Sequence, residues 1–294
     1  SSGHYPPGQH HYDPEARSIW FQNTTTAASR RFQLARLYGR LAAEDVLERA
    51  LETPHLTTPA ARRLGYRAFS SYLAGAMVFP YDAFLAGAES SRYDLEALRQ
   101  QFGASFEQVA QRIVSLRRPG AAGIPFGFLR SDPAGRLSKH FPLPGLLLPN
   151  SGHACPLWTI YAAFRTPDVT LRQPVQFSDG SRFLFIARAS AKRLASYADT
   201  GVHSAVMLAC DILHADRTVY GIGLDLGQLA LSPLVVLLAH GVAEDVLQDL
   251  DVQVDQVVYL AQQVEEGCGS SPTLLALHHR RLEALQLALH APLL

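Results

Sequence analysis

Within residues 31–41, RFQLARLYGRL, Arg36 and Arg40 stand on one face of any helix that forms there. A helix of the H-E-x-x-H kind places two imidazoles at that spacing to hold zinc, with a carboxylate beside them as general base. Here guanidinium groups take both places, and Leu37 follows Arg36 where the carboxylate would stand. A guanidinium stays protonated and has no lone pair for a metal, so the pair repels cations and suits phosphate or carboxylate. No Asp or Glu occurs between Glu52 and Asp82, which removes an acidic third ligand as well. Zinc hydrolysis is therefore not expected from this helix. The alternative is an amphipathic helix with two arginines on its wet face.

Other catalytic constellations are thin. No G-x-S-x-G elbow is present. Cys155 lies two residues from His153, but the pair has no third group to orient it as a nucleophile and base. Asp249 and Asp251 are two apart in a helical pattern and so point to different faces. The run GIGLDLG at 221–227 has one residue too many for a dinucleotide fingerprint and reads as a turn. The cysteines, Cys155, Cys210 and Cys268, are odd in number and form no C-x-x-C pair. That usage fits a reducing compartment rather than a disulfide framework, and a cytoplasmic location is expected.

These residues must be positioned by a chain of 294 residues with 48% apolar and 18% charged side chains, enough for one large or two intimate domains. The formal charge is zero, so no global field draws the chain to nucleic acid. No apolar run reaches the length of a membrane span, and residues 1–13, polar and His-containing, do not resemble a signal peptide. Because the chain starts with Ser, it is expected to be an excised or processed fragment. His4, His10 and His11 read as part of a solvated linker over 1–14, with chance metal binding as the alternative.

The expected fold class is α+β, in three parts. Residues 15–118 read as helices: apolar residues recur near the helical period at Phe32, Leu34, Leu37, Tyr38, Leu41, Val46 and Leu47, and again at Phe69, Leu73, Met77 and Val78. Pro80 stops the second run, and Asp82 is a plausible cap for 83–90. Runs 95–102 and 105–116, joined at Gly103, predict a helical hairpin with Ser105 and Gln108 at capping-box spacing; a helix-turn-helix is the alternative. Residues 119–227 read as β-rich, with strand-like runs at 124–129, 175–177, 182–187, 206–209 and 218–220, and a hairpin turn at Ser178, Asp179 and Gly180. Arg130, Arg136, Lys139, Arg165, Arg188, Lys192 and Arg193 interleave that half, predicting an anion pocket or a solvated strand face. Residues 228–294 turn Leu- and Val-rich and predict a helical oligomerisation or docking tail.

Three strings occur in order: the block from FSSYLAGAMVFPYDAFLAGAESSRYDLEALRQQFGASFEQ through GIPFGFLRSDPAGRLSKHF, then CPLWTIYAAFRTP, then ACDILHADRTVYGIGLDL. Together they resemble the sensor part of the short-chain fatty acyl transcriptional regulators, across about residues 15–227. Their first part is similar to the ImmA/IrrE metallopeptidase-like fold, with RFQLARLYGRL in the place of its H-E-x-x-H helix. The resemblance implies a non-catalytic sensor of CoA or short-chain acyl-CoA such as propionyl-CoA, controlling propionate/methylcitrate or glyoxylate metabolism. It would act as a homodimer or homotetramer and reach promoter DNA through an N-terminal helix-turn-helix domain not found in this sequence. A metallopeptidase-like or acyl-CoA-using enzyme is the alternative. The diphosphate and 3′-phosphate of CoA call for cationic forks, for which Arg117, Arg118, Arg130, Lys139, Arg165 and Arg188 are the candidates. Phe126, Phe128, Trp158, Tyr161 and Phe164 are candidate walls for its thin chain. The resemblance also implies a [4Fe–4S] cluster, for which Cys155, Cys210 and Cys268 are the available ligands. The family's C-R-x-C motif is missing after Asp225, where Cys268 is followed by Gly-Ser-Ser.

Overall fold

The computed structural model describes residues 10–52, 58–146, 155–191, 203–224 and 230–232. They fall into two compact units, one holding the described residues of 1–30 and 79–247, the other those of 31–78.

The first unit opens with a hairpin, β1 (His10–Asp13) antiparallel to β2 (Ser18–Phe21), with Asp13 accepting the backbone N–H groups of Glu15 and Ala16 to close its turn. The linker expected over 1–14 therefore ends in a strand, and the segment expected to be purely helical begins with one. Helix α1 (Ala27–Ala42) follows. It stops before Val46 and Leu47, which belong to a separate helix, α2 (Glu44–Ala50). The second unit is built on these and α3 (Pro59–Val78), around Leu47, Leu51 and Phe69. Gly39 on α1 lies so close to α3 that a Cβ there would meet Leu73 Cδ2 at 3.0 Å.

Back in the first unit, α4 (Tyr81–Ser90) starts at Pro80, two residues earlier than Asp82 predicted as a cap. The Pro80 conformation already suits entry to a helix, and Asp82 pairs instead with Arg118 at 2.8 Å. Helices α5 (Leu95–Gln101) and α6 (Phe106–Val114) meet at Gly103, whose φ of +55° suits glycine. Ser105 and Gln108 form the reciprocal capping box. Arg112 on α6 is buried and donates to the Phe79 carbonyl at 3.0 Å, which ties the hairpin to the chain ahead of α4.

A six-stranded sheet carries the rest, in the order β4 (Leu137–Phe141), β3 (Gly127–Ser131), β7 (His203–Asp211), β6 (Arg182–Ala191), β5 (Leu171–Phe177) and β8 (Ala230–Ser232). All neighbours are antiparallel except β5 and β8. The β5–β6 turn is the expected one: Gly180 has φ +86°, and Asp179 accepts from the backbone and hydroxyl of Ser181. Hydrogen bonding to Ser181 also holds the Asp179 carboxyl below its ordinary pKa. Two expectations fail. The run expected as a strand at 218–220 instead enters a 3-10 turn, Val219–Gly221, capped by the Thr218 hydroxyl, which accepts the Gly221 N–H. Residues 230–232, placed by sequence in a helical tail, pair with β5; the remainder of that tail lies outside the described residues.

Strand alternation gives the sheet two faces. Leu129, Phe183, Phe185, Ala187, Met207 and Ala209 face a core closed by Leu143, Trp158, Ile160 and Ala163, the last three on or beside α7 (Thr159–Ala162). Phe128, Leu184, Ile186, Leu208 and Cys210 occupy the other face, toward α5 and α6. Burying such side chains contributes about 1.5–3 kcal/mol each.

Candidate functional site

The sheet register brings together three of the six candidate phosphate contacts. Lys139 on β4 is paired with Arg130 on β3, Arg130 with Val206 on β7, and Val206 with Arg188 on β6. Directly paired residues share a face, so the three cations form a row across four strands, on the face toward α5 and α6. Carboxylates on those helices meet them. Arg130 Nη1 reaches Glu107 Oε1 of α6 at 3.0 Å, and its Nε donates to Ser138 at 2.9 Å. Lys139 Nζ donates to Gln111 Oε1, one helical turn from Glu107, at 2.9 Å. Arg188 pairs with Glu96 of α5 and, at 3.1 Å, with Asp168, while its guanidinium lies 5.6 Å from the Phe106 ring centroid.

Burial acts on two members of this row. It lowers the Lys139 pKa, opposed by Glu107 and reinforced by Arg130. It also lowers that of Arg188, against the pull of Tyr220. Tyr220 accepts the Leu95 N–H at 3.0 Å, and burial pushes its phenol up to about 12. The row is thus held mainly by the protein's own acids.

Arg117 and Arg118 lie elsewhere in the same unit. Arg117 Nη2 donates to the Pro142 carbonyl at 3.1 Å. Arg118 stacks over Tyr81 at 3.9 Å while the Tyr81 hydroxyl accepts its backbone N–H at 2.8 Å. Arg165 ends a 3-10 turn, exposed and with no ion pair among the described residues. The candidate walls also separate: Phe128 is on the helix-facing side of the sheet, and Trp158 is in the opposite core with Tyr161 and Phe164 against it. Phe126 is buried against Tyr93.

Sequence reasoning missed the acids and phenols that hold these cations: Glu96, Glu107, Asp168, Tyr81 and Tyr220. Glu107 and Gln111 carried a usable signal, two polar residues at i and i+4 on a helix whose other side chains are mostly apolar. Asp168 carried none, since its role follows from a loop conformation with φ +63°.

The expected cluster ligands do not fit one cluster. Cys210 is fully buried on the helix-facing side, its thiol pushed up to about 12 by burial and Asp211. Cys155 packs on the opposite core, and Cys268 lies outside the described residues. A cluster needs several thiolates converging on one point, and a sheet stands between these two. Among the described residues no group of three or more His, Cys, Asp or Glu is placed to hold a metal. On α1 the zinc-helix positions are occupied by Arg36 and Arg40, a donor set that does not fit zinc.

Comparison with known proteins covers residues 3–234 with two family models. Residues 115–234 match the profile of the short-chain fatty acyl coenzyme A regulator C-terminal domain, and residues 3–114 match an IrrE N-terminal-like domain. A solved structure, a Mycobacterium tuberculosis transcriptional regulator, superposes with a TM-score of 0.72 at 30% identity, covering 78% of this chain and 71% of that one. The chain belongs to the short-chain fatty acyl-CoA regulator family. Among curated relatives of this regulator family, the propionyl-CoA carboxylase regulator of Cereibacter sphaeroides is 40% identical over 72% of this chain and 46% of its own length. The transcriptional regulators RamB and PrpR of Mycobacterium tuberculosis are 35% and 32% identical, over 74% and 72% of this chain and 46% and 44% of theirs. The chain therefore spans less than half the length of the curated relatives it matches. It is a member of a family of regulators, not of enzymes. Among the described residues no helix is long and apolar enough to cross a membrane.

Proposed function

We propose that this chain is the effector-sensing part of a transcription regulator, binding CoA or a short-chain acyl-CoA such as propionyl-CoA and controlling propionate/methylcitrate or glyoxylate metabolism. The observation that carries the reading is the match of 115–234, including the whole cationic row, to the short-chain acyl-CoA regulator domain. Ligand binding shifts a regulator only through unequal affinity for its two arrangements, here two arrangements of subunits in a homodimer or homotetramer. DNA contact belongs to a helix-turn-helix domain outside this sequence. Arg165, exposed and without an ion pair among the described residues, is a phosphate contact whose charge no internal acid neutralises. Lys139 and Arg130 add field from the sheet edge.

Isothermal titration with propionyl-CoA, CoA and acetate, together with mass spectrometry of small molecules retained on purification, tests the reading. Saturable thioester binding without turnover is the expected result, weakened in Arg165→Gln. Hydrolysis of the thioester, or no binding of any CoA species, sinks it.

A further inference from the structure

Three arginines of the second unit stand apart from the compensated cations above. Arg36 on α1 is half-buried; its Nε is shielded from water and has no hydrogen-bond partner, and its Nη1 reaches Gln33 Oε1 only at 3.5 Å. Its electrostatic neighbours are the cations Arg67 and Arg40, with Tyr66 the one group that favours its charge. Tyr66 brings no charge near neutral pH, because burial raises its phenol above an already alkaline pKa. It brings an O–H donor.

Glu44 and Glu48 lie near Tyr66, and neither pairs with Arg36 among the described residues. Glu48 pairs with Arg62 at 3.4 Å and Asp45 with Arg49 at 3.2 Å. Helix α1 holds four arginines, α3 holds three, and neither contains an Asp or Glu. Helices α1 and α3 approach each other closely at Gly39. Arg36 neighbours Tyr66 and Arg67, and Arg40 also neighbours Tyr66. A partly desolvated guanidinium beside two others is costly without an anion, and a shielded N–H with no partner needs an occupant to account for it.

We propose that Arg36, Arg40 and Arg67, with the Tyr66 hydroxyl, form a binding site for a phosphate-bearing anion between α1 and α3. Two negative charges offset more of the three cations than a monocarboxylate does, and tetrahedral oxygens accept N–H groups arriving from two helices at different angles. A metal cation is repelled, since no group here has a lone pair and a negative charge to offer. The site uses the helix positions that hold zinc in an H-E-x-x-H protein, with the sign of the ligand reversed. It stands independently of the effector reading, because none of its residues lies in 115–234. The phosphate belongs either to CoA or to a separate phosphorylated small molecule.

Titration of the full chain at low salt with inorganic pyrophosphate, CoA and dephospho-CoA tests the site. The expected result is saturable binding of one pyrophosphate, weakened about tenfold or more in Arg36→Gln and Arg67→Gln, as loss of a charge-assisted hydrogen bond implies. The exposed variant Arg40→Gln folds regardless and weakens it less. Pyrophosphate raises the thermal midpoint of the unsubstituted chain, and Arg36→Gln without ligand melts no lower than that chain. Displacement of pyrophosphate by CoA but not dephospho-CoA assigns the site to the 3′-phosphate; binding that CoA does not displace assigns it to a separate phosphorylated ligand. The proposal is overturned by no pyrophosphate binding at millimolar concentration, by equal binding in Arg36→Gln and Arg67→Gln, or by a lowered unliganded midpoint in Arg36→Gln.

Discussion

Arg188 and Arg36 are both arginines with hidden Nε atoms, yet their surroundings are opposite. Arg188 on β6 has Glu96 and Asp168 as partners, and Tyr220 nearby favours its charge. Arg36 on α1 has Gln33 at long range and two further guanidiniums. A desolvated charge is retained at modest cost only when counter-charge sits against it. The difference separates arginines that hold helices to a sheet from an arginine set among other cations, a distinction residue type alone does not make.

The largest effect that would break this comparison comes from Arg188. Its side chain is 11% exposed while Glu96 keeps 38%, so Arg188→Met should cost about 2–3 kcal/mol, below the ~3–5 of a fully buried pair. Urea unfolding with an unchanged slope measures it. A loss no greater than that of a surface pair would mean Arg188 is not holding the layers.

Alkaline titration sharpens the same side of the comparison. The folded pKa values of Cys210 and Tyr220 are raised, to about 12 each, from ordinary values of 9.0 and 10.0. Between the ordinary and raised values the unfolded chain binds fewer protons, so stability is intact below pH 9 and falls as pH rises. The slope is about 1.4 kcal/mol per pH unit for each group, and Cys210→Ala and Tyr220→Phe should each flatten their share. Denaturant midpoints measured from pH 8 to 11 give the slopes directly. Lys139 acts in the opposite sense: its folded pKa lies below the ordinary 10.5, so its burial penalty is full below the folded value and fades as pH rises toward 10.5.

Smaller effects follow at the half-exposed pair. Arg130 and Glu107 are 35% and 31% exposed, and Arg130→Gln should cost about 0.5–1 kcal/mol. The smallest belongs to the other region. With no anion present, Arg40→Gln, at an exposed position without an ion pair among the described residues, should change stability by less than about 0.5 kcal/mol in thermal melts. A loss as large as that at Arg188 would erase the contrast.

Much of this was legible in the chain, for local reasons. The capping box at Ser105 and Gln108, the Gly180 hairpin and the change of periodicity near Pro119 involve residues a few positions apart, so their types suffice. The absence of zinc ligands at Arg36 and Arg40 was legible in the same way. The counter-charges were not. Glu96 lies 92 residues from Arg188, and Glu107 lies 23 from Arg130; their pairing depends on which helix covers which sheet face. The same holds for Cys155 and Cys210, alike in sequence and placed on opposite sides of one sheet.

By itself, then, the sequence determined the α+β class, the capped helical hairpin, a cationic β-rich half and a helix unable to bind zinc. Only the tertiary structure decided which cations are neutralised and which are not. An arginine's charge is fixed by its chemistry, but its net effect depends on water excluded and carboxylates supplied by elements distant in the chain.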